Sequence, residues 1–419
     1  MLTTELRRIV RLSTADTHDP DLLGAPTSDG TRNHSVVMET SAHSGVLPEQ
    51  CLKEYVRSGV IIGFTPVTSG QIQPASLDLR LGSVAYRVRA SFLPGANSTV
   101  MDRVRQMDGY RIDLTNSAVL DTGQLYVIPL QEELALPTAI QGFANPKSST
   151  GRLDILTRLV TDYGTVFDQT TKGYTGPLFA EVAPQTFSVV VRPGTSLSQI
   201  RFQRGSGIAV VNGALRRRYL AGDLVNHFAK TEKLDNNLVP VTIDLTGDPA
   251  SKLIGYRAKR HTDRIDLSKV RYYDWEDYWE PIYYFKEPQL TLNPGDFYIL
   301  ATREEVRVPP EYAAEMVPYH TRSGEYRVHY AGFFDPGFGW DLSGGGSRAV
   351  LEVRSHEVPF MLEHGQTVGW LRYDKMASIP EHVYGDAIVG SSYQSQGLAL
   401  AKQFKPYRVK WTPNLGPVD

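Results

Sequence analysis

Most of the chain reads as short runs rich in Val, Ile, Tyr, Phe and Leu, separated by Gly, Pro, Asn and Asp. That is the pattern of half-buried strands closed by turns. Two stretches break it. Leu47–Gly59 has helical spacing, with Pro48 and Glu49 suited to a start and Gly59 to a stop. Ala221–Lys230 reads as its echo and predicts a second helix, with a new domain opening near Arg218. An alternating strand containing one acid follows each: Ala75–Gly82 with Asp78, and Val241–Gly247 with Asp244. Residues 1–45 scatter Ser, Thr, Asp, Gly, His and Pro without apolar period, which predicts a poorly ordered extension holding at most a short helix over Leu2–Leu12.

The apolar pattern occurs twice. Thr122-Gly-Gln-Leu-Tyr-Val-Ile128 has a counterpart in Pro294-Gly-Asp-Phe-Tyr-Ile-Leu300, and proline turns follow at Pro137 and Pro309. Later, Ala180-Glu181-Val182 precedes Gly194 at the same spacing as Leu351-Glu352-Val353 precedes Gly365. So long a repeat means tandem domains, because solenoid and propeller units run roughly 20 to 50 residues. The fold expected is mainly β, with domains over 46–217 and 218–419, each carrying one small helix.

Composition narrows the function more than the fold. With 419 residues, 41% of them hydrophobic and 21% charged, the chain has the make-up of a globular protein of two or three domains. No segment has the roughly 20 apolar residues of a membrane span. A net charge of −2 offers no broad attraction to nucleic acid, although a compact phosphate group needs only a local pocket. Cys51 is the one cysteine, which excludes a disulfide framework and a multi-thiolate zinc site. Without an apolar stretch near Met1 to act as a secretory signal, the cytoplasm is the expected location.

Residues capable of chemistry recur in both copies. Glu181 and Glu352 sit amid apolar strand residues, where desolvation raises a carboxyl pKa toward that of a general base or acid. Taken singly, either could instead face solvent. Lys147-Ser148-Ser149 and Arg322-Ser323-Gly324 combine a cation with hydroxyls and small residues, a set able to converge on phosphate oxygens. Taken alone, each is an ordinary polar loop. Four residues past the serine of each copy stand Arg152 and Arg327, whose guanidinium could hold a glutamate and tune its protonation. Ala331-Gly-Phe-Phe334-Asp335-Pro-Gly337-Phe338 is an aromatic-flanked turn that could bring backbone close to a flat ligand; its counterpart around Asp168 lacks the Pro-Gly. The aromatics of Tyr272–Trp279 suit packing better than ligand stacking. No zinc-deaminase signature occurs, no phosphate loop with its lysine, and no second histidine after His356-Glu357.

Taken in order, Ser-Leu-Asp-Leu-Arg-Leu-Gly (76–82), Lys-Ser-Ser-x-x-Arg (147–152), Ala-Gly-x-x-Asp-Pro-Gly (331–337) and a strand glutamate before a glycine turn form a series. The series resembles the dCTP deaminase and dUTP pyrophosphatase superfamily, and the arginine-glutamate pairing resembles its deaminase branch. The resemblance covers roughly 46–205 and again 218–405. It implies two tandem dUTPase-like distorted β-barrel or jelly-roll domains, and hydrolysis of dCTP to dUTP and ammonia without a catalytic metal or zinc. Glu181 and Glu352 would be the bases that activate water. Beside them would stand Arg152 with Ser148, and Arg327 with Ser323. Lys147, Ser149 and Arg322 would contact phosphate. Phe334, Asp335 and Gly337, with Asp168 as the weaker match, would read the pyrimidine and sugar. A closing tail would use Tyr384, Tyr393 and Gln396, with Ser392 where the family has a lysine. The resemblance further implies Mg²⁺ accompanying the triphosphate and an assembly of three chains or a multiple. The Asp335 hairpin keeps a dUTP pyrophosphatase or bifunctional enzyme open, and a non-catalytic deoxynucleotide-binding protein would share the fold.

Overall fold

The computed structural model describes residues 43–226, 234, 236–318, 326–329, 332–340, 345–355, 357–386, 389 and 397–406, with backbone alone for Pro318 and Tyr326–His329. These residues all belong to one compact unit. The expected extension lies outside them, apart from residues 43–45, of which Gly45 pairs with Arg204 on the strand Ser196–Arg204.

The first helix, Glu49–Arg57, follows the sequence signals closely. Pro48 is its N-cap in extended conformation, Glu49 stands in the first turn and Arg57 in the last, and the chain turns away through Gly59 at φ 76°. Leu52 and Tyr55 form its buried face. The second expected helix is displaced. It runs from Asn212 to Ala221 and stops where the pattern predicted a start, because Gly222 adopts φ 81° and closes it in the left-handed conformation.

Both halves weave the same sheet. In the first, strands run Tyr110–Asp113, Val84–Val88, Leu125–Ala135, Thr175–Pro184, Ile155–Thr161 across the sheet. The second repeats this as Trp279–Tyr283, Leu253–Ala258, Phe297–Val306, Ser347–Ser355, Tyr326–His329. Register is kept as well: Glu181 lies opposite Val127, and Glu352 opposite Ile299. A turn hydrogen bond is also repeated, the Asp121 N–H donating to Tyr126 Oη at 2.9 Å and the Asn293 N–H to Tyr298 Oη at 3.0 Å.

Strand alternation decides what each glutamate meets. Ala180 and Val182 enter the core of the first half, and Leu351 and Val353 that of the second, so both glutamates point from the opposite faces. In the second half this face does not meet water. Tyr256, Ala258, Trp279, Phe297 and Ile299 pack into the same apolar cluster as Leu153, Ile155, Phe187 and Val189 of the first half. The Phe187 and Trp279 ring centroids are 5.4 Å apart and those of Tyr278 and Phe404 also 5.4 Å, so the Tyr272–Trp279 aromatics do serve packing. Each such fully buried ring stabilises by about 2 kcal/mol or more. Ile265 of the second half extends a first-half sheet, pairing parallel to Val189. Polar clamps complete the junction: Arg354 with Asp154, Arg201 with Asp335 at 2.9 Å, and helix residues Gln50 and Lys53 with Ile379 O at 2.8 Å and Glu381 at 3.0 Å.

Candidate active site

The site lies at the junction of the halves. The strand Ile140–Pro146 ends at proline, Lys147 follows in extended conformation, and a single turn, Ser148–Gly151, carries the chain into Arg152. Lys147 makes an ion pair with Asp78, the acid of the first alternating strand. Beside them opens a cavity of about 410 Å³ lined by Asp78, Lys147, Ser149, Arg192, Ser268 and Lys402, among others. Three cations at one cavity favour a polyanion. Burial pushes the Asp78 carboxyl up against the pull of Lys147 and Lys402, and its Oδ1 is buried with no hydrogen-bond partner.

Arg152 reaches from this loop to the other half. Its Nε stands 3.9 Å from Oε1 of Glu352, and its Nη1 donates to Ala399 O at 3.0 Å. Both side chains are nearly closed to solvent, at 3% and 7% exposure. Burial drives Glu352 up to about 8, while the Arg152 charge pulls it down and Asp154 pushes it higher. A carboxyl held near neutral pH beside a fixed guanidinium can give and take protons at a reacting atom. Asp154 is held in the left-handed region at φ 56°, and it accepts from Arg354 and, at 2.5 Å, from Thr186 Oγ1. This ties the turn after Arg152 to the strand that bears Glu352.

The sequence-derived pairing of each arginine with the glutamate of its own copy is therefore corrected. Arg152 meets Glu352, because the strand face carrying Glu352 packs on the first half. Glu181 lies elsewhere, 1% exposed on the far face of its sheet, with Ser91 and Phe92 beside it and Arg158 and Asp168 as its charged neighbours. Burial raises both acids, Asp168 to about 7. Arg327 is not the counterpart of Arg152 in register. Its backbone pairs with Arg354, the place Leu156 takes opposite Ala183 in the first half.

Asp335 stands at the junction of the halves. Expected to read a pyrimidine, it is bound by Arg201, which also donates to Phe334 O at 2.8 Å, although its charge still reaches Asp78. Phe334 stacks edge-on against Phe338, which in turn meets Tyr384, with centroids at 5.0 and 5.7 Å. Gly337, at φ 94°, lies so close to Val383 and Tyr384 that a Cβ would collide with them. Ser148 stands on the turn before Arg152, half-buried. Arg322, Ser323, Tyr393 and Gln396 lie outside the described residues, as does Ser392.

Sequence reasoning missed Lys402. The tail from Gly397 to Pro406 returns to the first half, where Arg271 and Tyr272 N–H groups donate to Lys402 O and Gln403 O at 2.9 Å each, and Lys402 joins the cavity. Burial and the Lys147 charge lower its pKa. A basic residue directly after the apolar run Leu398–Ala401 was the available signal.

Residues 43–206 match the N-terminal domain of 2'-deoxycytidine 5'-triphosphate deaminase, and residues 212–404 match its C-terminal domain. Among curated proteins, the "dCTP deaminase, dUMP-forming" of Parafrankia sp. is 28% identical over 186 residues, covering 43% of this chain and 86% of that protein. That of Salinispora tropica is 29% identical over 191 residues, covering 43% and 90%. One relative thus spans under half of this chain. The crystal structure of 2'-deoxycytidine 5'-triphosphate deaminase from Agrobacterium tumefaciens is 47% identical, covers 83% of this chain and 98% of its own, and superposes with a TM-score of 0.78. With both halves matched and a solved relative aligned along nearly its whole length, the chain belongs to the 2'-deoxycytidine 5'-triphosphate deaminase family.

Proposed function

We propose that this chain deaminates dCTP to dUTP and ammonia at a site shared between its two dUTPase-like halves. The observation that carries the reading is the close approach of Arg152 to the buried Glu352, next to a cavity lined by Lys147, Arg192 and Lys402. The triphosphate occupies the cation-lined cavity, and the cytosine ring lies toward Glu352. Ionised Glu352 takes a proton from water, the hydroxide adds to C4, and Glu352 passes that proton to the ring N3. Glu352 then takes the proton of the new C4 hydroxyl and hands it to the amino group, the C4–N bond breaks, ammonia leaves and the C4 carbonyl forms. Water and dCTP are consumed, dUTP and ammonia are produced, and the carboxylate is regenerated. Arg152 holds Glu352 in position and favours its charged form.

Mg²⁺ would travel with the triphosphate. Asp78 fits it: one oxygen is engaged by Lys147 and the other is buried without a partner at the cavity wall. The ion would offset phosphate charge. An assembly of three chains or a multiple and a cytoplasmic setting go with this reading.

A second reading, onward hydrolysis to dUMP, is favoured by the dUMP-forming names of the curated relatives. Incubation with dCTP and Mg²⁺, with ammonia and pyrophosphate followed separately, tests both. Ammonia alone supports deamination to dUTP, equal yields of both support the second reading, and neither product refutes both.

A further inference from the structure

The two halves treat the same sheet face differently. In the second half, Tyr256, Ala258, Ile299 and Val350 surround Glu352 and pack on the first half. Register identifies the matching face of the first half: Tyr86 lies opposite Val127 as Tyr256 lies opposite Ile299, and Phe179 precedes Glu181 as Val350 precedes Glu352. Were the repeat used symmetrically, a loop bearing a cation would dock there and complete a site at Glu181. Instead, the segment between Val88 and Tyr110 folds back over it. Its helix, Val100–Gln106, inserts Val100 and Val104 among Val88, Val127, Val160 and Phe179, with Phe92, Met101 and Met107 at the margin.

This cover is anchored at several points. Thr99 and Asp102 form a reciprocal cap, at 3.1 and 3.2 Å. The Val100 N–H donates to Asp162 at 2.8 Å, the Tyr163 N–H to Ser98 O at 3.1 Å and the Gly95 N–H to Gly164 O at 3.0 Å. The corresponding segment of the second half, residues 259–278, does not fold back. It supplies Ile265 to the first half's sheet and holds the tail at Lys402 and Gln403. Glu181 is left 1% exposed, with Ser91 and Phe92 of the covering segment beside its carboxyl group.

Resting on the deaminase reading above, we infer that each chain carries one catalytic site, built from Arg152 and Glu352, and that the equivalent face around Glu181 is closed by the chain's own Val100–Gln106 helix. The second acid is a packed remnant. Assembly of chains cannot complete a second site there without unseating that helix.

Calorimetric titration of dCTP with Mg²⁺ into the Glu352→Gln protein, where turnover is stopped, counts the sites: one nucleotide per chain is expected, and two or none would overturn the inference. In parallel, Glu181→Gln should keep kcat within about 2-fold while Glu352→Gln loses at least 100-fold. A tenfold loss in a Glu181→Gln protein of unchanged Tm would also overturn it. Should Glu181→Gln fail to fold, the titration still decides. Absence of ammonia release by the unaltered chain would refute the activity while leaving the nucleotide count readable, so the two failures are distinct.

Discussion

Glu352 is a carboxylic acid whose surroundings disagree about its charge. Burial favours the neutral form and Arg152 the ionised one, with burial prevailing at about 8. A base must be ionised to act, so kcat/KM for dCTP should climb with pH and level off near 8. Replacing Arg152 with Met removes the positive charge that pulls Glu352 toward ionisation. The pH limb should then move upward and kcat fall by about 100-fold. A limb that stays in place would show that Arg152 acts only as packing. Stability provides an independent check. The folded pKa of Glu352 lies above the ordinary 4.5, so the folded state holds a proton that the unfolded chain releases. Its stabilising contribution is complete below about 4.5 and is lost as pH rises through about 8, on the order of a few kcal/mol. Glu352→Gln should flatten that decline, and denaturant melts at pH 5 and pH 8.5 would measure it.

At the scale of elements, the tail and the turn Ser148–Gly151 bring cations to one cavity from distant parts of the chain. Lys402→Ala should raise KM for dCTP about tenfold with little change in kcat, because its charge faces the cavity and not Glu352; steady-state kinetics in Mg²⁺ would read the split, and an unchanged KM would exclude the tail from binding. Much of this architecture was legible beforehand. Alternating apolar runs gave the strands, Pro48 and Gly59 bounded the first helix, and the repeat gave both glutamates in matched register. The second helix was misplaced because the run Ala221–Lys230 carries helical spacing, while the stop at Gly222 depends on a backbone conformation that spacing does not reveal. The Arg152 pairing was misassigned for a different reason. Proximity along the chain says nothing about which strand face another half will cover, and Glu181 and Glu352 differ in that alone. Lys402 escaped notice because the tail's return is set by contacts such as Phe404 against Tyr278 and Trp279, which join residues far apart in sequence.

For the whole molecule, the proposed site draws on both halves. The first half supplies Lys147 and Arg152, the second supplies Glu352, and the Asp154–Arg354 pair and the shared aromatic core fix their approach. Asp154 is fully buried, so Asp154→Ala should remove its ion pair with Arg354 and cost about 3 to 5 kcal/mol, read as a lower denaturation midpoint for both halves together. Separate transitions would contradict a common core. The most direct test of the account mixes two inactive proteins, Arg152→Met and Glu352→Gln, by joint unfolding and refolding. With Arg152 and Glu352 working within one chain, every chain in the mixture lacks one of them, and dCTP deamination should remain at background. Recovery of a quarter or more of the unaltered activity would mean that the arginine and the glutamate come from different chains, and the shared intrachain site would be wrong.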